Sequence, residues 1–126
     1  MKITTFEEAC QAKNLDPVTV LPNVSMFPVQ HQAAIIAYAK LIIITEVITD
    51  GWKPNWNDNE YKYYPWFDLE VEPNNPSGFR FGAAICDSSY TGTAGGSRLC
   101  YRTRREAEYV GKTFVDLFRD MMVLPQ

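Results

Sequence analysis

Tyr61-Lys62-Tyr63-Tyr64-Pro65-Trp66-Phe67-Asp68-Leu69-Glu70-Val71 (residues 61–71) is where the chain changes period. Upstream, apolar residues recur at helical spacing. Here polar and apolar residues alternate and aromatic rings crowd together, which reads as a β-strand. In a strand, alternate side chains share a face. Tyr61, Tyr63, Phe67 and Leu69 then make the expected core face, with Lys62, Tyr64, Trp66, Asp68 and Glu70 opposite.

Working towards the C-terminus, residues 72–78 combine Pro73, Asn74, Asn75, Pro76 and Gly78, the chemistry of a turn. Phe79 to Asp87 reads as a second strand, with Phe79, Phe81, Ala83 and Ile85 expected inward and Arg80, Gly82, Ala84 and Cys86 outward. Residues 88–97 are a glycine-rich connector, and Arg98 to Arg102 a short third strand with Leu99 and Tyr101 inward. Thr103-Arg104-Arg105-Glu106 is a capping box. It opens a C-terminal helix whose stripe is Ala107, Val110, Gly111, Phe114, Leu117, Phe118 and Met121.

Towards the N-terminus, Pro28 suits the first turn of a long helix running to about residue 50 and stopped by Gly51. Its apolar residues cover more than one face, so a buried central helix is expected. A connector spans residues 15–27. Before it, Thr5-Phe6-Glu7-Glu8 caps a short helix that ends near Lys13, ahead of Asp16-Pro17. The order is α-α-β-β-β-α. The expectation is an α+β fold, one domain over residues 1–126, with a three-stranded antiparallel meander packed on the long helix and the C-terminal helix.

Composition supports a folded chain: of 126 residues, 46% are hydrophobic and 13% aromatic. The formal net charge of −3 gives no global basic field for nucleic acid. The arginines (Arg80, Arg98, Arg102, Arg104, Arg105, Arg119) all fall in the second part of the chain. The opening residues lack a signal-peptide core, and Lys40 and Glu46 interrupt the apolar run in a stretch shorter than a bilayer span of roughly 20 residues. A soluble protein without a membrane anchor is expected. Cys10, Cys86 and Cys100 are widely spaced, and His31 is the single histidine, so no metal site and no cofactor are expected.

Catalytic patterns are weak. Thr91 to Ser97 is glycine-rich but precedes a strand, not the helix that a phosphate loop needs. Asp87-Ser88-Ser89 has no base within reach in sequence, and Asp68 with Glu70 reads as an ordinary solvent-facing pair. A non-enzyme is expected. The notable constellation is Tyr64, Trp66, Arg80, Arg98 and Arg102 on the outer sheet face. The packing account lays Trp66 flat over Gly82 or Ala84. The functional accounts have this face dock a protein or a second copy of the chain, or stack single-stranded bases and hold their phosphates. Trp52 and Trp56 are expected to fold the loop back over the end of the long helix, with a small-molecule or sugar site there as a weaker account.

Four stretches carry a resemblance: Asp50 to Trp56, Tyr61 to Phe67, Gly96 to Tyr101, and Arg105 to Phe114. Together they resemble a group of small proteins encoded by tailed phages and prophages of Bacteroidetes gut bacteria. The resemblance implies a mobile-element product made in a bacterial host cytoplasm, with the virion as a second location. It carries no catalytic residues over. The expected role is a phage accessory or virion-associated protein working through protein contact.

Overall fold

Thr5 starts the first helix as its sequence requires: its hydroxyl accepts the Glu8 N–H at 3.1 Å, and Glu8 reaches back to the Thr4 N–H at 2.7 Å. This is α1, Phe6–Ala12, in a computed structural model that describes residues 3–57, 60–76, 78–87 and 98–125. α1 buries Phe6, Ala9 and Cys10 against α2, Val29–Ile48. At the end of α2, Asp50 and Gly51 adopt positive φ, and the Gly51 N–H returns to the Glu46 carbonyl at 2.9 Å.

β1 (Lys62–Asp68) and β2 (Arg80–Asp87) form an antiparallel pair. Asn75 holds the turn between them: its side-chain amide donates to the carbonyls of Asp68 (3.2 Å) and Glu70 (2.7 Å). α3 (Arg104–Thr113) packs on both strands, and α4 (Val115–Met122) packs on α2. The core between these layers is built from Leu41, Ile44, Phe67, Phe79, Leu99, Tyr101, Ala107, Val110, Phe114 and Phe118. Phe67 stacks on Phe79 with ring centres 4.7 Å apart.

The α+β class holds, with four corrections. The expected third strand is a single antiparallel bridge, Tyr63 to Tyr101. It lies beside β1 and not beside β2, so the sheet is not a meander. The capping box explains its shortness. Thr103 accepts the Glu106 N–H at 3.0 Å, and Glu106 takes the Arg102 N–H at 3.2 Å, so the chain turns into α3 straight after Tyr101.

Second, β2 changes face midway. Trp66 pairs with Ala83 but Phe67 pairs with Phe81, which leaves Gly82 as a bulge. Phe81 and Ala84 therefore point inward, while Ala83 and Ile85 point out with Trp66 and Tyr64. Third, the outer face is not all solvent: Lys62 and Tyr64 are buried, and the Lys62 ammonium lies 5.0 Å from the centre of the Trp56 ring. The C-terminal helix, finally, breaks at Phe114, although Ala107, Val110, Phe114 and Phe118 form the expected buried stripe.

Gly111 marks the closest approach of α3 to the sheet. A Cβ there would collide with the edge of the Phe81 ring and sit 2.8 Å from the Pro65 Cβ. Alanine in place of an interior helix glycine ordinarily stabilises by about 1 kcal/mol. Here overpacking against two rigid rings outweighs that gain, and Gly111→Ala should destabilise by about 1–3 kcal/mol in urea unfolding. An unchanged or raised midpoint would show that α3 stands further from the sheet.

Candidate docking surface

β1 presents Trp66 on its outer side, and β2 provides the seat. The indole approaches the bulge at Gly82 with one edge: a Cβ at that position would be in ordinary contact, 3.5 Å from Trp66 Cδ1. The ring is nonetheless 59% exposed. It borders an open cleft of about 610 Å³ at the sheet end, shared with Asp68, Leu69, Arg80 and Ala83. A second, mainly apolar cavity of about 230 Å³ runs from Trp66 and Pro65 to Leu69, Ile85 and Met122. Leu69 and Met122 are 56% and 53% exposed, so three large apolar side chains meet at this end.

The charge here differs from the expected basic face. The Arg80 guanidinium is bound to Asp68 at 3.0 Å and to the Asn74 carbonyl at 3.3 Å. Asp68 also accepts the Glu70 N–H at 3.1 Å. That backbone donor, with Arg80 second, holds the Asp68 carboxyl below its usual value. Glu70 goes the other way: the Glu72 carboxyl beside it, and then Asp68, raise it. Asp68 lines the cleft beside Arg80, and the chain just past it carries two more carboxylates, Glu70 and Glu72.

The five residues expected to share a face are dispersed. Trp66 and Arg80 lie together. Tyr64 is on the same side but buried. Arg98 lines another depression, of about 440 Å³, with Ile42, Thr49, Trp52 and Pro54 at the end of α2. The Arg102 Nε is 2.7 Å from the buried Glu106 carboxylate, where it steadies the start of α3. Trp52 is half-buried and lines the same depression as Arg98 at the end of α2, as expected, whereas Trp56 is half-buried beside Lys62 of β1. The expected flat packing of Trp66 over Gly82 or Ala84 is not seen: only the Cδ1 edge of the indole approaches Gly82, which is itself exposed, and Ala84 lies on the other face.

Leu69 and Met122 were not expected in the site. Leu69 falls just past the end of β1, and Met122 is brought in by tertiary packing of α4. A glycine inside a strand pattern is a bulge signal, and Gly82 carried it. Among the described residues, no cluster of His, Cys, Asp and Glu is placed to hold a metal ion. The Thr91–Ser97 stretch and Ser88-Ser89 lie outside the described residues. Compared with known proteins, the chain matches no family model, no curated protein and no solved structure.

Two measurements check this geometry. Carboxyl-carbon NMR titration should find Asp68 below and Glu70 above their ordinary values. For Asp68, whose folded value is lowered, the linked stability is present above the ordinary carboxylate range and is lost as pH falls through the folded value. For Glu70 the sign reverses: its charge costs stability at neutral pH, and that cost disappears on acidification. Arg80→Ala should move Asp68 upward but leave it lowered, since the Glu70 N–H remains; an unmoved Asp68 would mean the ion pair is absent. Thiol labelling should also separate the cysteines. Cys86 is exposed, while Cys10 and Cys100 are buried, and burial pushes the Cys100 thiol up to about 11. Cys86 should react first in the native protein, with the other two protected until unfolding. Equal rates for all three would contradict the packing.

Proposed function

We propose that this chain is a non-catalytic docking module that works through protein contact at the sheet end around Trp66. The carrying observation is the meeting of Trp66, Leu69 and Met122, each more than half exposed, along one apolar cavity. Exposed aromatic anchors beside pockets are the usual energetic centre of a protein interface. Asp68 in the cleft, with Glu70 and Glu72 just past it along the chain, favours a partner segment that brings an apolar side chain to the cavity and a basic group to the carboxylates. In the setting implied by the sequence resemblance, this is a phage or prophage accessory protein acting in the host cytoplasm or in the virion.

Single-stranded nucleic acid is the second reading, and the exposed Trp66 ring is what favours it, since it offers a face for base stacking. The commitment of Arg80 to Asp68 and of Arg102 to Glu106 weighs against it, because phosphates would have to displace carboxylates.

Trp66→Ala tests the proposal. Loss of a half-exposed ring should change unfolding free energy by less than about 1 kcal/mol. As an interface anchor it should cost about 2 kcal/mol or more of partner affinity, roughly a thirtyfold loss. The comparison is quantitative mass spectrometry of proteins co-purified at fixed stoichiometry with wild type and variant from producing cells and from purified particles. A partner retained equally by both would move docking off this face. A saturable tryptophan quench by a single-stranded oligonucleotide, weakening with salt, would replace the protein reading with the nucleic-acid one.

A further inference from the structure

The sequence leads to a central, buried helix for α2, and the structure covers it only in part. Its buried side chains, Ala37, Leu41, Ile44, Thr45 and Ile48, follow one side only. On another side, positions 31, 35, 38, 42 and 46 recur at helical spacing. Ile35 and Tyr38 are 39% and 37% exposed there, with Ala39 and Ile42 half-buried beside them. On α2 itself no charged side chain falls on this stripe between its two ends, although Arg98 and Lys53 line the depression beside Ile42. His31 stands at one end of the stripe and Glu46 at the other, roughly 22 Å apart along the axis.

We propose that this stripe is the contact between two copies of the chain, packed antiparallel about a twofold axis passing between Tyr38 and Ala39. The arrangement of the stripe selects this occupant. His31 and Glu46 are equidistant in sequence from that midpoint, so an antiparallel copy sets His31 of each chain against Glu46 of the other. The same symmetry sets Ile35 against Ile42 and the large Tyr38 against the small Ala39. One self-complementary patch thus serves both partners, as a closed dimer requires. Antiparallel helices also oppose their dipoles favourably. Glu46 is at the surface, held by Lys13 at 3.4 Å, and His31 offers an N–H donor in either protonation state.

The centre of the stripe at Ile35, Tyr38 and Ile42 shares no lining residue with the cavity beside Trp66, although His31 borders a depression that also takes in Met122; variants at Tyr38 and Trp66 therefore test the two proposals separately. Sedimentation equilibrium of the full chain over a wide concentration range should give a monomer–dimer equilibrium. Ile35→Lys and Tyr38→Lys should each raise the dimer Kd by about tenfold or more while the circular dichroism spectrum stays unchanged. Glu46→Lys should weaken the dimer, and adding His31→Glu to it should restore the dimer by reversing both charges; loss of the Lys13 pair alone would not be rescued this way. Trp66→Ala should leave dimerisation intact. A chain that stays monomeric throughout overturns the proposal, as does a dimer indifferent to Tyr38→Lys, a dimer lost in Trp66→Ala, or a Glu46→Lys variant that His31→Glu does not rescue. A monomer that instead binds phosphatidylcholine–phosphatidylglycerol vesicles, and loses them with Tyr38→Lys, makes the stripe a membrane-facing surface and likewise overturns it.

Discussion

Tyr101 is the point on which the other elements depend. Its backbone exchanges two hydrogen bonds with Tyr63, both at 2.9 Å. Its hydroxyl lies 2.7 Å from the Thr45 hydroxyl in the buried interior. One residue therefore joins β1, α2 and the segment that leads into α3. Burial raises the phenol well above its ordinary value, so it stays neutral, and either hydroxyl can donate in that bond. The Tyr101–Thr45 bond is worth about 1 kcal/mol net. Breaking it also leaves a buried hydroxyl to be satisfied, which makes the site sensitive to either partner. Two residues on, Thr103 caps α3, so the position of the helix on the sheet is inherited from the same bridge.

The elements legible in the sequence were those governed by local chemistry. The capping boxes at Thr5 and Thr103, the stop at Gly51, and the turn around Asn75 all appear where their side chains predict. What was not legible depended on one residue or on tertiary geometry. Gly82 shifts the register by one, and a shift of one exchanges every later side chain between faces. That is how Ala84 became core and Ala83 surface. The residues expected to share the outer face suffered most, because membership of a face is a parity statement. Trp66 and Arg80 remained together, while Arg98 and Arg102 followed a segment that crossed to the far side of β1.

The exposure of α2 has a simple geometric cause. A helix of twenty residues is about 30 Å long, whereas its partners α1 and α4 have seven and eight residues, about 10–12 Å each. Two such short helices cannot sheath the long one. Apolar composition told that the helix favours contact, but the contact area available within this chain is limited by the lengths of the other elements. The surplus apolar surface follows from that mismatch.

The two edges of the strand pair are covered in different ways. Tyr63 turns both backbone groups towards Tyr101, so by antiparallel alternation the nitrogen of Pro65 faces the same side, where no further strand lies among the described residues. Proline has no proton to offer at that position and blunts the edge. On the other side, the Ala84 carbonyl faces away from β1 by the same alternation, and Arg104 covers it at 2.6 Å. Arg104 also lies 5.2 Å from the centre of the Tyr63 ring. Arg80 and Arg102 are likewise braces, one for the turn after β1 and one for the start of α3. The arginine-rich second part of the chain is in this respect architecture more than a phosphate-binding surface. Both strand edges are thus guarded, one by Pro65 and the other by Arg104, and the large apolar side chains left exposed stand at the sheet end and along α2.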